Sequence, residues 1–293
     1  PCPLGTWSDI SGLGNVSDCT PCPGGYYCDQ QALTAYSKLC TEGYYCRQYA
    51  SSATPSQGQD ADQCPAGFYC PEGTAEPLKC PLGTYSSNVM LISETQCLNC
   101  TPGYYCGDLN LTTLSGQCSA GFYCPQGATV ANYLSCPEGH YCPVRTDNPH
   151  PCPAGTYSNI TNLAELTQCT NCPGGYYCET PGLSEPTGLC GEGYYCPEGS
   201  QEKEPASTYC PIGHYCPQGV SQAIPCRNNT FVNYTHAVSC VECPAGYYCV
   251  MNGQSNVCPM GYYCPSGTGL DWKSCPRGTY SDIEGLYTES QCR

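Results

Sequence analysis

Aromatic rings at fixed distances from cysteines mark the hydrophobic positions of this chain. The frame Cys-Pro-Gly-Gly-Tyr-Tyr-Cys at 22–28 recurs with Gly fourth, Tyr sixth and Cys seventh. Its eleven copies begin at Cys22, Cys40, Cys64, Cys100, Cys118, Cys136, Cys172, Cys190, Cys210, Cys243 and Cys258. We predict that each copy forms a short β-hairpin with the glycine in a left-handed turn. The ring would then lie over a disulfide or over the turn of the next copy.

A sister frame, Cys-Pro-x-Gly-Thr-aromatic-Ser, has a delayed second cysteine. It begins at Cys2, Cys80, Cys152 and Cys275, with a degenerate copy at Cys226. In the degenerate copy Asn229 replaces the glycine, and Asn is the next-best residue for a left-handed backbone. We call the first kind short-loop repeats and the second long-loop repeats. Together the sixteen repeats use all 32 cysteines.

Each long-loop repeat opens a predicted group of repeats. The groups span 1–79, 80–151, 152–225, 226–274 (one short-loop repeat fewer) and 275–293 (incomplete). Repeats of 15 to 24 residues cannot bury a core alone, so neighbours should stack. The predicted fold class is small disulfide-rich repeats, as an elongated solenoid-like rod of short β-hairpins with little regular secondary structure. We expect the chain to be a segment of a longer repetitive protein.

Two features depart from the hairpin pattern. Short helical turns are predicted at 91–96 and 162–168, where the apolar spacing suits a helix and no proline intervenes. The stretch 47–63, rich in Ser, Gln and Ala, is the longest insertion between repeats and is predicted to be a surface loop.

Composition narrows the class of protein. The chain has 293 residues with 32 cysteines, while Leu, Ile, Val and Phe together number only 37, too few for the core of an enzyme of this size. The net charge of −15 argues against a nucleic-acid partner, and no apolar run is long enough for a membrane span. An even and large number of cysteines indicates an extracellular location, either secreted or in a cell-surface appendage.

The long-loop cysteines are predicted to pair within their own repeat. These pairs are Cys2–Cys19, Cys80–Cys97, Cys152–Cys169, Cys226–Cys240 and Cys275–Cys292. For the first two short-loop repeats of each group we favour crossed bridges, such as Cys172–Cys190 and Cys178–Cys196, with the third closing on itself as Cys210–Cys216. The alternative closes every short-loop repeat internally, and sequence alone does not decide between the two schemes.

Two sets of surface residues are candidates for modification and contact. Sequons predict N-linked glycans at Asn15, Asn110, Asn159, Asn228 and Asn233, with Asn99 a poorer sixth. Of 27 tyrosines, 21 occupy the ring positions of the frames, where packing explains them. The other six are candidate contacts with other chains or glycans: Tyr36, Tyr49, Tyr133, Tyr209, Tyr234 and Tyr287.

Other chemistries are disfavoured by context. The four Cys-x-x-Cys steps, such as Cys19 to Cys22, lack the surroundings of zinc or redox motifs, and the repeat arithmetic uses their cysteines as bridges. His140 and His214 replace a ring of the frame, while His150 and His236 are isolated. No catalytic constellation or calcium loop is present, so we expect no enzymatic activity, no catalytic or metal site and no cofactor.

The long-loop frame resembles a known family. Cys-Pro-Ala-Gly-Thr-Tyr-Ser at 152–158, followed by Cys169-x-x-Cys172-Pro, resembles the ephrin-receptor-like cysteine-rich repeat. The order of long loop, Cys-x-x-Cys step and nested cysteines is also similar to tumour-necrosis-factor-receptor modules. The resemblance covers essentially the whole chain and implies an elongated rod with a structural or adhesive role. Such repeats occur in long extracellular proteins, including surface fibres of algae and other protists.

Two functional classes follow from these features. The first is a structural extracellular protein, a disulfide-stapled, N-glycosylated rod whose partners are copies of itself in a fibre, stalk or surface filament. The alternative is a ligand-binding or adhesive ectodomain of a cell-surface receptor, with the 47–63 insertion as the distinctive binding feature. We favour the first, because that insertion is polar rather than aromatic.

Overall fold

The structure, a computed structural model, describes residues 1–56, 61–250 and 253–293. The chain forms two compact regions. The first consists of Pro1–Cys136 and Cys142–Pro149, and the second of Pro137–Tyr141 and His150–Arg293. Each region is built from the same kind of repeat, stacked on its neighbours in chain order.

Regular secondary structure consists mainly of two-stranded antiparallel hairpins, which confirms the predicted fold class of small disulfide-rich repeats with little regular secondary structure. The first strand starts at the residue after the frame glycine, and the second precedes the next repeat's first cysteine. Hairpins of the first region pair Thr6–Trp7 with Thr20–Pro21, Tyr44–Cys46 with Ala61–Gln63, Phe68–Tyr69 with Leu78–Lys79, Thr84–Tyr85 with Leu98–Asn99, Tyr104–Tyr105 with Gly116–Gln117, and Phe122–Tyr123 with Leu134–Ser135.

The second region repeats this arrangement. Its hairpins pair His140–Tyr141 with His150–Pro151, Thr156–Tyr157 with Thr170–Asn171, Tyr176–Tyr177 with Gly188–Leu189, His214–Tyr215 with Ile224–Pro225, Thr230–Phe231 with Val241–Glu242, Tyr247–Val250 with Gln254–Val257, and Tyr262–Tyr263 with Lys273–Ser274. Most strands are two residues long.

Four single turns of 3-10 helix precede the delayed cysteines, and the described residues contain no α-helix. They span Val16–Asp18, Glu94–Gln96, Leu166–Gln168 and Glu289–Gln291. The predicted helical turns are therefore confirmed only at the C-terminal ends of 91–96 and 162–168. In each of the last three, the glutamine side-chain oxygen accepts a hydrogen bond from the backbone amide four residues earlier, at 2.6–2.8 Å. That bond fixes the loop before the cysteine.

All 32 cysteines form sixteen disulfides, each within one repeat. The long-loop pairs are those predicted, from Cys2–Cys19 to Cys275–Cys292. The crossed bridges are wrong, because Cys172 pairs with Cys178 and Cys190 with Cys196. Cys210–Cys216 closes on itself, as do the other short-loop repeats. The turn at the frame glycine brings the two Cα atoms of each short-loop pair within 5.7–6.0 Å, a normal disulfide span.

Left-handed backbone occurs at two positions in every repeat. The first is the frame glycine, with φ near +80°, or Asn229 at +73° in the degenerate copy. This confirms the prediction for the turn. The second lies nine or ten residues after the first cysteine and is glycine in nine repeats. The other seven place a non-glycine residue there: Ala32, Tyr49, Met90, Asn110, Arg145, Asn162 and His236.

We did not predict this second left-handed position, although the sequence signals it in some repeats. Five short-loop repeats continue after their second cysteine as Pro-x-Gly, at Gly73, Gly127, Gly199, Gly219 and Gly267. The same turn occurs at Gly5, where the Thr6 hydroxyl donates to the Pro3 carbonyl at 2.7 Å. Thr74 makes the equivalent bond to Pro71 at 2.6 Å. Each of these repeats therefore contains the Cys-Pro-x-Gly turn or its equivalent twice.

Successive repeats are joined through the frame glycine by backbone hydrogen bonds, which we call the seam. The Gly67 amide donates to the Ser86 carbonyl, and its carbonyl accepts from the Cys80 amide, at 2.9 and 3.0 Å. The same reciprocal bonds join Gly175 to Cys196 and Cys190 in the second region, at 2.8 and 2.9 Å. Within each region the seam satisfies backbone groups that the short hairpins leave unpaired.

Cystines and aromatic rings form the small cores between repeats. Most cysteines are fully buried. In four clusters the sixth-position ring of a frame packs on a cystine of the next repeat. Tyr69, for example, contacts the cluster of Cys80, Leu91 and Cys97. Tyr105 packs in the same way on the Cys118–Cys124 cluster. The predicted position of the ring over a disulfide is confirmed in these clusters.

Candidate interaction surface

The six tyrosines outside the frames are all exposed, as a contact role requires. Tyr234 is the most accessible of them, with 54% of its surface exposed. Tyr36, Tyr49, Tyr133, Tyr209 and Tyr287 are also exposed. They are distributed over both compact regions, with Tyr36, Tyr49 and Tyr133 in the first and the others in the second. A tyrosine whose ring is exposed offers an apolar face and a hydroxyl to a partner.

Two of these tyrosines also belong to small aromatic clusters. Tyr36 meets Trp7 and Tyr26 edge-on, with centroids 5.0 Å apart in both pairs. Tyr209 stacks on His236 at 5.2 Å. These two rings are therefore partly committed to the repeat itself, and Tyr49, Tyr133, Tyr234 and Tyr287 are the freer candidates for contact between chains.

The sequon asparagines lie mainly at the surface. Asn15, Asn99, Asn159, Asn228 and Asn233 are exposed, whereas Asn110 is half-buried. Asn110 occupies the second left-handed position with φ +54°, and its backbone amide donates to the Cys80 carbonyl at 3.0 Å. This asparagine is thus integrated into the stacking of repeats, which makes it the least accessible of the six.

The insertion at 47–63 is only partly a loop. Tyr49 occupies the second left-handed position, and its amide donates to the Cys22 carbonyl at 3.1 Å. Ala50 is buried, and its carbonyl accepts from the Cys28 amide at 2.9 Å. Residues 57–60 lie outside the described residues, and residues 51–56 are mainly exposed. The first part of the insertion is therefore bonded to the preceding repeat, as the corresponding residues of other repeats are.

The histidines take packing roles. His140 and His214 occupy ring positions in hairpins, and each ring Nδ1 donates to a backbone carbonyl two residues earlier, at 2.9 and 3.2 Å. His150 lies 5.4 Å from the Tyr141 ring across its hairpin. His236 contacts Tyr194 edge-on at 5.0 Å, so it is not isolated as the sequence suggested.

The Cys-x-x-Cys steps do not pair internally. Cys19 is bonded to Cys2, and Cys22 is bonded to Cys28. In residues 1–56, 61–250 and 253–293, no group of three or more His, Cys, Asp or Glu side chains is arranged to hold a metal ion. Within the same ranges, no helix is long and apolar enough to cross a membrane.

Cations lie against several rings of the surface. The Arg145 guanidinium is 5.1 Å from the Tyr104 ring centroid, and the Lys38 ammonium is 5.7 Å from that of Tyr27. Lys38 also forms a salt bridge with Asp29 at 2.7 Å. The hydrogen bond from Lys38 to Asp29 raises the pKa of Lys38. These exposed contacts orient the rings and contribute little to stability.

No protein-family model matches the chain, and no curated protein matches it. The assignment of function therefore rests on the architecture of the repeats and on the chemistry of their surface. The resemblance to ephrin-receptor-like and tumour-necrosis-factor-receptor repeats stays a prediction. What the structure defines is a disulfide-rich repeat protein of the kind made in oxidising, extracellular compartments.

Proposed function

We propose that this chain is a structural protein that assembles with copies of itself into an extracellular fibre, stalk or surface filament. The observation that carries the proposal is the seam, which gives successive repeats the same backbone connection. Repeats of the same construction recur every 15 to 24 residues along the chain. Contacts between such repeats can be made many times by one molecule, and contacts that do not close into a ring continue as a filament.

The disulfide within each repeat supports a structural role. Each repeat is closed by its own disulfide, so force on one repeat is not transmitted through a shared bridge to another. The cores are cystines covered by rings, which need little aliphatic material. A protein with this construction remains folded outside the cell without a large hydrophobic core.

The exposed tyrosines supply the proposed contacts between copies. Tyr234 and Tyr287 lie on long-loop repeats, and Tyr49 and Tyr133 lie on short-loop repeats. Aromatic side chains are common at the centres of protein interfaces because they bury a large area at low entropic cost. N-linked glycans at the sequons would keep the remaining surface solvated. The proposal gives the chain no catalytic role and no cofactor.

Electron microscopy of native, unreduced protein tests the proposal. We expect fibres with a regular axial repeat, and fewer or shorter fibres for the double variant Tyr234→Ser and Tyr287→Ser. Leu166→Ser, which removes a side chain of similar exposure (48%) but no tyrosine, is the matched control. Separate particles at micromolar concentration would contradict the fibre and favour the ligand-binding or adhesive ectodomain.

A further inference from the structure

Two of the sequons occupy the same place in two different long-loop repeats. Asn159 and Asn233 both lie seven residues after the first cysteine of their repeat, at Cys152 and Cys226. The ring position of the frame is two residues earlier in each case, which places Tyr157 before Asn159 and Phe231 before Asn233. The equivalent residues in the other long-loop repeats are Asp9, Ser87 and Asp282, and all three are exposed.

Burial alternates along this segment in both repeats. Tyr157 is half-buried, Ser158 is only 2% exposed, and Asn159 is exposed. In the other repeat Phe231 is half-buried, Val232 is fully buried in the cluster of Cys226 and Ala237, and Asn233 is exposed. The strands of these hairpins end at Tyr157 and Phe231, so the asparagine follows two residues after the end of its strand. The middle residue is buried while the residues on both sides of it have exposed surface, so the ring and the asparagine both reach solvent.

The middle residue is held by backbone bonds to neighbouring repeats. The Ser158 amide donates to the Leu183 carbonyl at 2.9 Å, and its carbonyl accepts from the Gly139 amide at 2.8 Å. The Val232 carbonyl likewise accepts from the Gly213 amide at 3.0 Å. The backbone between ring and asparagine is thus held before any sugar is attached, so a contact between ring and sugar costs less ordering entropy.

We propose that the first N-acetylglucosamine of an N-linked glycan at Asn159 packs on the Tyr157 ring, and that its counterpart at Asn233 packs on the Phe231 ring. The inference rests on the N-glycosylation included in the proposed function. In the attachment step, the side-chain nitrogen of asparagine forms a bond to C1 of the sugar and loses a proton. The bond from C1 to the diphosphate of a lipid-linked oligosaccharide breaks, and the lipid diphosphate leaves.

The sugar offers a suitable surface for a ring. One face of N-acetylglucosamine carries axial C–H groups, which are apolar and attracted to the negative face of an aromatic ring. An asparagine-linked sugar begins at the end of its side chain, within reach of a neighbouring side chain on the same side. Such a contact would cover the exposed part of the half-buried Tyr157 and Phe231 side chains.

The remaining sequons lack this arrangement, which makes them internal controls. Leu13 lies two residues before Asn15, and Asp108 lies two residues before Asn110. The corresponding residues for Asn99 and Asn228 are Cys97 and Cys226, both in disulfides. Glycans at these four positions would have no ring two residues away.

Proton NMR of the native glycoprotein with isotope-labelled sugars tests the contact. Ring currents should shift the C–H protons of the first sugar upfield at Asn159 and Asn233, and not at Asn15. Tyr157→Leu should abolish the shift at Asn159 and leave that at Asn233. It should also speed the enzymatic release of the Asn159 glycan from native protein about 2- to 10-fold, since ring contacts contribute about 0.5–1.5 kcal/mol.

Tyr85→Leu is the matched control, because Tyr85 fills the same ring position in a repeat where Ser87, and not a sequon asparagine, lies two residues later. It reports the effect of removing the ring on folding alone and should leave glycan release at Asn159 unchanged. If Tyr157→Leu fails to fold, the comparison of Asn159 with Asn15 in the unaltered protein still decides. An occupied Asn159 with an unshifted sugar would overturn the contact. A bare Asn159 in the mass spectrum would overturn the contact together with the proposed glycosylation at that residue.

Discussion

The α carbon of Gly67 faces the backbone carbonyl of Asn110, so closely that a Cβ at Gly67 would overlap that oxygen. Asn110 belongs to the second repeat after that of Gly67, at its second left-handed position. The same relation holds between Gly155 and Gly199 in the second region. The frame glycine is thus required twice, for its φ and for the close approach of a backbone two repeats away.

Alanine at Gly67 should disrupt the stacking of repeats. The left-handed φ of +81° costs a side chain about 1–2 kcal/mol, and the overlap with Asn110 adds about 1–3 kcal/mol because backbone rather than a side chain must move. Faster amide hydrogen exchange at Cys80, whose amide donates to the Gly67 carbonyl, is the measurement.

Gly12→Ala separates the two costs. Gly12 has nearly the same φ, +80°, but a Cβ there would meet nothing within 4 Å. This variant should lose only the conformational part, about 1–2 kcal/mol. Equal destabilisation by Gly12→Ala and Gly67→Ala would show that the approach of Asn110 does not matter.

Glycine at Met90 should stabilise its repeat. Met90 has φ +61° and is exposed, so glycine relieves about 1–2 kcal/mol of strain while adding about 0.5–1 kcal/mol of chain entropy. The net gain of up to about 1.5 kcal/mol should appear as slower exchange of the backbone amide at position 90, which donates to the Cys64 carbonyl. The neighbouring exposed Val89 has no positive φ, and Val89→Gly should instead destabilise. Destabilisation by both variants would contradict the left-handed assignment.

Leu163 should anchor its long loop. It is 5% exposed, forms a parallel bridge with Tyr141, and should cost about 2 kcal/mol or more when replaced by alanine. Leu166 in the same loop is exposed, so Leu166→Ala should change stability by about 0.5 kcal/mol or less. Protease susceptibility of the 152–169 loop measures the difference, and similar digestion of the two variants would exclude an anchoring role.

Peptide mapping without reduction should recover each short-loop disulfide within one peptide. Cys172 should be found with Cys178, and Cys190 with Cys196, because each pair flanks one turn. A peptide joining Cys172 to Cys190 would restore the crossed scheme. Replacing Cys172 and Cys178 together by alanine should destabilise that repeat by about 2–4 kcal/mol without scrambling its neighbours.

Much of the fold could be predicted because the frame encodes it locally. The glycine of each frame signals its turn, and Asn229 at the one exception follows the same conformational preference. Most of the hairpins, the ring over a disulfide and the long-loop pairs follow from spacing. The copies at Cys22 and Cys190 form only single bridges, Tyr26 with Leu39 and Tyr194 with Tyr209, and not the predicted hairpin. The candidate surface was predicted in part, since the six tyrosines are exposed but Tyr36 and Tyr209 pack against neighbouring rings.

Local sequence features were sufficient to predict the number of repeats, the turn at each frame glycine and the pairing of the long-loop cysteines. These depend on short-range conformational preferences and on loop length. The folded structure was needed to establish how Cys172 and Cys190 pair, because the spacing suits both the crossed and the internal bridges. The choice depends on distances in the folded turn. The folded structure alone also placed Met90 and Arg145 in the left-handed region, where backbone bonds to the preceding repeat outweigh their own conformational preference.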